Sequence, residues 1–224
     1  MILHLLPIAA TGVVAAALIA ERTSKLFFQY SIDSKLFMSQ IEGLLQKGNL
    51  QGALDLCAAN EQKLLPRVVK AALLKASRNQ EEIKTSLEVA VIDANSLLSA
   101  RIGYLAMIAN VATLLGLLGT IAGLIQSFKA VASADAATKQ SLLAEGISVS
   151  MNATGLGLVV AIPAMIAFSL LSGRSNKILD EIEKGAGRTL SLLHNRVYAG
   201  EDDFSNVSFD TVETGNGSGI KGAA

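Results

Sequence analysis

Any chemistry in this chain rests on neutral polar side chains at helical spacing. Thr113 and Thr120 in one uncharged stretch, and Ser150, Asn152 and Thr154 in another, could coordinate a cation or hold a water through their hydroxyl or amide oxygens. None of them titrates near neutral pH. In the first stretch Asn110, Thr113, Leu117, Thr120 and Ser127 recur in steps of three, four and seven, which places them near one face of a helix. Gly116, Gly119 and Gly123 form a neighbouring strip that admits a second helix at close range. In the second stretch Ser150, Thr154, Gly157 and Ala161 step round as i, i+4, i+7 and i+11, with Ser148 and Asn152 beside them. Each hydroxyl has two possible uses, since Ser and Thr also bond their own helix backbone and small residues also serve packing alone. Asn152 stands apart because an amide in hydrocarbon needs an external partner. Pro163 removes a backbone hydrogen bond that neighbouring helices or water must replace.

The elements that must position these residues are Ile102 to Phe128 and Gly146 to Gly173, which contain no Asp, Glu, Lys, Arg or His. Each exceeds the roughly 20 residues that cross a hydrocarbon core, so each is expected to be a transmembrane helix. A proton relay normally has a titrating group in the membrane. These stretches supply none, so an ion path would borrow a carboxylate from another subunit. Leu3 to Ala20 is a first apolar run that ends at Glu21-Arg22. It has no basic start, which fits an uncleaved anchor rather than a signal peptide. Arg22, Lys25 and Lys35 follow this span, Lys84 and Arg101 precede the second, and Arg174, Lys177, Lys184 and Arg188 follow the third. By the positive-inside rule the N-terminus is expected outside, with residues 21–101 and the tail in the cytoplasm.

Composition agrees with this plan. The chain is 51% hydrophobic and 17% charged, and its mean hydropathy of +0.46 suits a membrane protein with a modest soluble part. A net charge of zero gives no pointer to nucleic acid. Cys57 is the single cysteine, which excludes an intrachain disulfide and a cysteine zinc cluster; its apolar setting reads as a small buried side chain. Nothing resembles a nucleophile with a base and an orienting group, so no enzyme and no cofactor is expected.

The organisation follows in order: transmembrane helix 1 over 1–20, a cytoplasmic helical region over 21–79, a long helix over 80–128 running into transmembrane helix 2, a periplasmic loop over 129–145, transmembrane helix 3 over 146–173, a cytoplasmic helix over 174–199 and a disordered tail over 200–224. Within the helical region, three apolar stripes predict short helices: Phe37, Ile41, Leu44 and Leu45, ended by Gly48-Asn49; Leu50, Ala53, Leu54 and Cys57; and Leu65, Val68, Val69, Ala72, Leu73 and Ala76. Asn79 followed by Glu82 reads as the cap of the next helix. From there to Phe128 no Pro and no adequate stop interrupts the pattern. The fold class is thus an all-α membrane protein, with three transmembrane helices and long cytoplasmic helical extensions.

ALIAERTSKL after span one, LLGLLGTIAGLIQSF in span two and GISVSMNATGLGLVVAIPAMIAF in span three resemble the MotA/TolQ/ExbB proton-channel family over about Ala15 to Lys184. Three spans and an outside N-terminus look like its TolQ/ExbB branch in the bacterial inner membrane. The resemblance implies a homopentamer whose second and third spans line a pore, with a TolR/ExbD-like single-span dimer inside, each copy bearing a membrane aspartate. H+ or Na+ flow would drive motion of that partner, whose outer domain would energise an envelope process, with a further periplasmic or outer-membrane protein beyond. Thr120 and Thr154 match the family's pore threonines. Ser150, Asn152 and Thr113 join them as ion-pathway candidates, and Gly116, Gly119, Gly123 and Gly157 are the helix-packing set. Many relatives have glutamate where this chain has Val149, and proline where it has Thr113. The first departure motivates the alternative of a non-conducting membrane scaffold in the same complex, and the second leaves sodium open.

Overall fold

The computed structural model describes residues 2–30 and 32–199, with side chains placed for 6–30 and 32–195; the tail expected over 200–224 lies outside them. Every helix or strand element among these residues is helical: α1 (Ile2–Ser24), α2 (Ser34–Gln46), α3 (Leu50–Ala59), α4 (Leu64–Leu73), α5 (Gln80–Ser99), α6 (Ile102–Ala132) and α7 (Lys139–Ala199), with a π-helical turn over Lys25–Gln29 after α1. The chain divides into two compact units. Unit 1 combines Met1–Phe28 with Ser99–Asn176, and unit 2 combines Gln29–Leu98 with the chain from Lys177 onward. Among the described residues three helices are long and apolar enough to cross a membrane by length and composition.

Unit 2 is built by the three apolar stripes and two further helices. Its short helices start where a side chain can accept the free N–H groups of a first turn. Asp33 accepts from the backbone N–H of Lys35 and Leu36, both at 3.1 Å. Asn49 accepts from Gly52 at 2.8 Å, directly after Gly48 turns the chain at φ 77°, a conformation that glycine adopts without a Cβ clash. Asn79 accepts from Glu82 at 2.8 Å and opens α5. The stripes then meet: Phe37, Met38, Ile41 and Leu45 of α2, Leu50, Ala53, Leu54 and Cys57 of α3, and Leu65, Val68, Val69, Ala72 and Leu73 of α4 are all buried. Ile83, Leu87, Ala94 and Leu98 of α5 are buried as well, and Ile178, Ile182, Ala186 and Leu193 of α7 likewise. In water each fully buried Leu, Ile or Val is worth about 1.5–3 kcal/mol, far above the few tenths that helix propensity distributes. Tertiary burial therefore holds these short helices.

Unit 1 is assembled differently. Its core is Ala15 of α1, Ile108, Ala109 and Ala112 of α6, and Ala161 and Ala164 of α7, with Leu18 and Val160 packed against them. Alanines at the crossing points let three backbones approach, which is how helices associate where lipid removes the hydrophobic drive.

Two boundaries differ from the sequence expectation. The long helix over 80–128 is two helices, because Ala100 and Arg101 form a turn between α5 and α6. Arg101 sits in the left-handed region at φ 60°, ψ −5°, which costs a non-glycine residue about 1–2 kcal/mol. Its Nη1 donates to both carboxylate oxygens of Glu21, each at 3.0 Å, and this exposed contact with α1 is weak and offsets only part of the strain. The connection expected over 129–145 is also shorter. α6 continues to Ala132 and α7 begins at Lys139, since nothing in the flanking residues breaks a helix.

Candidate polar seam between the second and third apolar helices

The glycine strip of α6 faces α7. A Cβ on Gly116 would stand 3.2 Å from both the Ala153 carbonyl oxygen and the Thr154 Cα; one on Gly119 would stand 2.7 Å from the Ala153 Cβ, and one on Gly123 2.8 Å from the Ser150 Cβ. From the other side, a Cβ on Gly157 would lie 2.7 Å from the Ala112 carbonyl oxygen and 3.1 Å from the Gly116 Cα. All four glycines read as packing residues thus lie in one helix contact, and at Gly157 the obstacle is backbone that cannot move aside.

The hydroxyls distribute along and beside this seam. Thr154 donates across it to the Gly116 carbonyl at 3.3 Å. This is the bond by which a candidate ion-pathway residue touches the packing strip. Ser150 is buried, packed against Gly123, and donates to its own helix at Gly146 (2.6 Å) and Ile147 (3.1 Å). Thr113 donates to Ala109 at 3.0 Å and Thr120 to Leu117 at 2.6 Å. Thr113 and Asn152 are exposed, while Thr120 and Thr154 are half-buried. Chemically, a hydroxyl that donates to a carbonyl keeps its oxygen lone pairs, so each can still accept from water or coordinate a cation.

Sequence periodicity grouped Ser127 on one face with Asn110, Thr113, Leu117 and Thr120, and the structure separates it. Ser127 is buried, donates to Gly123 at 2.7 Å and fills the space beside Gly146. Gly146 was missed as a packing residue, although a glycine opposite a serine in the antiparallel partner is the signal that could have found it. Asn110 and Leu117 are exposed.

Residues 60–184 match the model of the MotA/TolQ/ExbB proton channel family. The chain is 31% identical to the Tol-Pal system protein TolQ of Pseudomonas aeruginosa over 122 residues, 54% of this chain and 52% of that protein. It is 31% identical to a biopolymer transport protein ExbB homolog of Methanothermobacter thermautotrophicus over 179 residues, 79% of this chain and 62% of that one. It therefore spans between half and two thirds of the length of these relatives. A chain in the structure of C. jejuni MotAB superposes with a TM-score of 0.53 at 17% identity, over 90% of this chain and 85% of that chain, a likeness of fold. With a family model matching more than half its length and an all-helical fold that bears three apolar helices, this chain belongs to the MotA/TolQ/ExbB proton channel family.

Proposed function

We propose that the protein is an ion-channel subunit of an energy-transducing complex in the inner membrane, using a proton or sodium gradient to move a TolR/ExbD-like partner. Exposed polar side chains in a stretch meant for hydrocarbon carry this reading. Thr113 and Asn152 are exposed within the uncharged stretches of α6 and α7, and polar groups at that depth face protein or a water-filled path, because lipid satisfies neither. α6 and α7 would line the pore of a homopentamer, with the N-terminus periplasmic and the C-terminus cytoplasmic. The ion would pass Thr120, Thr154, Ser150, Asn152 and Thr113 beside a carboxylate brought by the partner. Each ion crossing releases about 2.3 kcal/mol per 100 mV, so a cycle doing sizeable work takes several ions.

The test is ion flux and ion-driven activity in the complex purified with its partner and reconstituted in liposomes. Losing one hydroxyl that ligands the ion or its water costs about 1–3 kcal/mol. Thr154→Val and Thr120→Val are therefore expected to lower activity roughly ten- to hundredfold, and Thr154→Ser to retain most of it. Full activity in both valine variants would sink the pore assignment. The half-buried Val149 and the lack of an intramembrane acid favour one second reading, a scaffold that does not conduct. In that case a gradient uncoupler changes nothing downstream.

A further inference from the structure

Unit 2 carries an open groove of about 630 Å³ between α4 and α5. Val68 and Ala94 line it as buried side chains, while Val89, 55% exposed, and Leu97, 37% exposed, line it and remain open to water. The Ser86 hydroxyl donates to the Ala71 carbonyl at 3.1 Å and ties the two helices together. The walls differ in charge: Arg67 and Lys75 line the groove from the α4 side, and Glu81, Glu82 and Asp93 from the α5 side. Nearby, Lys70 pairs with Glu61 at 3.3 Å and Lys84 with Glu88 at 4.0 Å, but among the described residues none of the five wall charges is in an ion pair.

The chain itself supplies a segment that fits. α7 enters unit 2 at Lys177 and is described to Ala199, and residues 201–213 follow it. They hold Phe204, Val207, Phe209 and Val212 among five acids, Glu201, Asp202, Asp203, Asp210 and Glu213, with no base. Residues 63–78, which contain α4, hold Lys63, Arg67, Lys70, Lys75 and Arg78 with no acid. A segment of about 13 residues reaches about 40 Å when extended, and a compact unit of about 100 residues has a radius of gyration of about 13 Å, so the groove lies within its reach. We propose that residues 201–213 dock in the groove of their own chain, with Phe204 and Phe209 over its apolar lining and the acids along the basic side of α4. The acids of the α5 wall repel the segment and hold it to that side. Because these charges are exposed, they set its position more than its affinity, which comes from taking two aromatic rings out of water. The docking is independent of ion transfer through α6 and α7.

The chain has no Trp, so Val89→Trp in the full chain places a single fluorophore in the groove, and its quenching by acrylamide reads whether the groove is covered. The Trp is expected to be shielded. Adding Phe204→Ser and Phe209→Ser, which keeps the length and charge of the segment, should raise the quenching constant severalfold, since each buried ring is worth roughly tenfold or more in the docking equilibrium. Deleting residues 200–224 should raise it as far. Arg67→Glu with Lys75→Glu should also raise it, whereas Glu82→Lys with Asp93→Lys should leave it low. Equal quenching with and without the two Phe side chains overturns the proposal, whether the groove is then open in both proteins or covered in both by a second copy. A tail-deleted Val89→Trp chain that regains shielding when mixed with the wild-type chain would place a neighbour's segment in the groove and overturn docking within one chain. If Val89→Trp does not fold, Leu97→Trp gives the same readout at another residue of the groove.

Discussion

Cys57 shows how far burial alone sets the chemistry of one residue. Its side chain is fully enclosed in unit 2, and that burial pushes the thiol from its ordinary 9.0 up to about 12, with the charge of Lys70 pulling weakly the other way. At pH 8 only about one thiol in ten thousand is then ionised, against roughly one in ten for a free thiol. Iodoacetamide at pH 8 should therefore leave Cys57 unmodified in the folded protein and alkylate it readily in denaturant. Fast labelling of the native chain would contradict the burial. The sign for stability follows. Above pH 9 the unfolded thiol gives up its proton while the folded one keeps it to about 12, so the unfolded state binds fewer protons and stability falls as pH rises through that window. A Cys57→Ala variant should lack this part of the alkaline decline, measured by chemical denaturation at pH 8 and pH 10.

At the scale of elements, the two units depend on opposite kinds of side chain. The helices of unit 2 hold by removing large apolar groups from water, whereas α6 and α7 hold by leaving side chains out. Gly157→Ala inserts a methyl group 2.7 Å from a backbone oxygen, which must push the helices apart. Overpacking of this kind costs about 1–3 kcal/mol. Gly173→Ala, on the same helix with nothing within 4 Å of the added Cβ, should be neutral or stabilise by up to about 1 kcal/mol through helix propensity. Unfolding of both variants in a denaturing-detergent titration, followed by circular dichroism, separates the two effects. A Gly157→Ala protein as stable as Gly173→Ala would show that the close contact is not required.

For the whole molecule, the surface of a single chain is too apolar to be its final state. In unit 2 α5 leaves Val89 55% and Ile92 66% exposed, and a groove of about 630 Å³ lies between α4 and α5, floored by Val68, Ala90 and Ala94. In unit 1 Leu114, Leu118, Ile162 and Leu170 are exposed. Lipid would cover the second set, and in the proposed topology the first would face water unless the tail or another chain covers it. The proposed pentamer would cover what the tail leaves open of the first set, and it predicts five copies with two of a small single-span partner in native mass spectrometry of the complex from its own membranes. A monomer, or a symmetry other than five, would count against that assembly and turn attention to the scaffold.

Most of the architecture was already legible as periodicity. The uncharged runs, the stripes from Phe37 to Ala76, the Gly48-Asn49 stop, the Asn79 cap and the glycine strip of α6 are local patterns, in which each residue's neighbours in space lie within a turn or two of it in sequence. The same holds for the polar candidates, whose types and helical positions needed no partner to be read. What the tertiary structure decided depends on residues far apart in the chain. The break at Arg101 has no glycine or proline to announce it, and it goes with a contact to Glu21, eighty residues away in the chain. Ser127 turned inward because Gly146 leaves room for it, and Thr154 found a carbonyl on another helix. Arg22 reads in sequence as one more basic residue after a span; only folding buries its charge, since burial is a property of what packs around a side chain and not of the side chain itself.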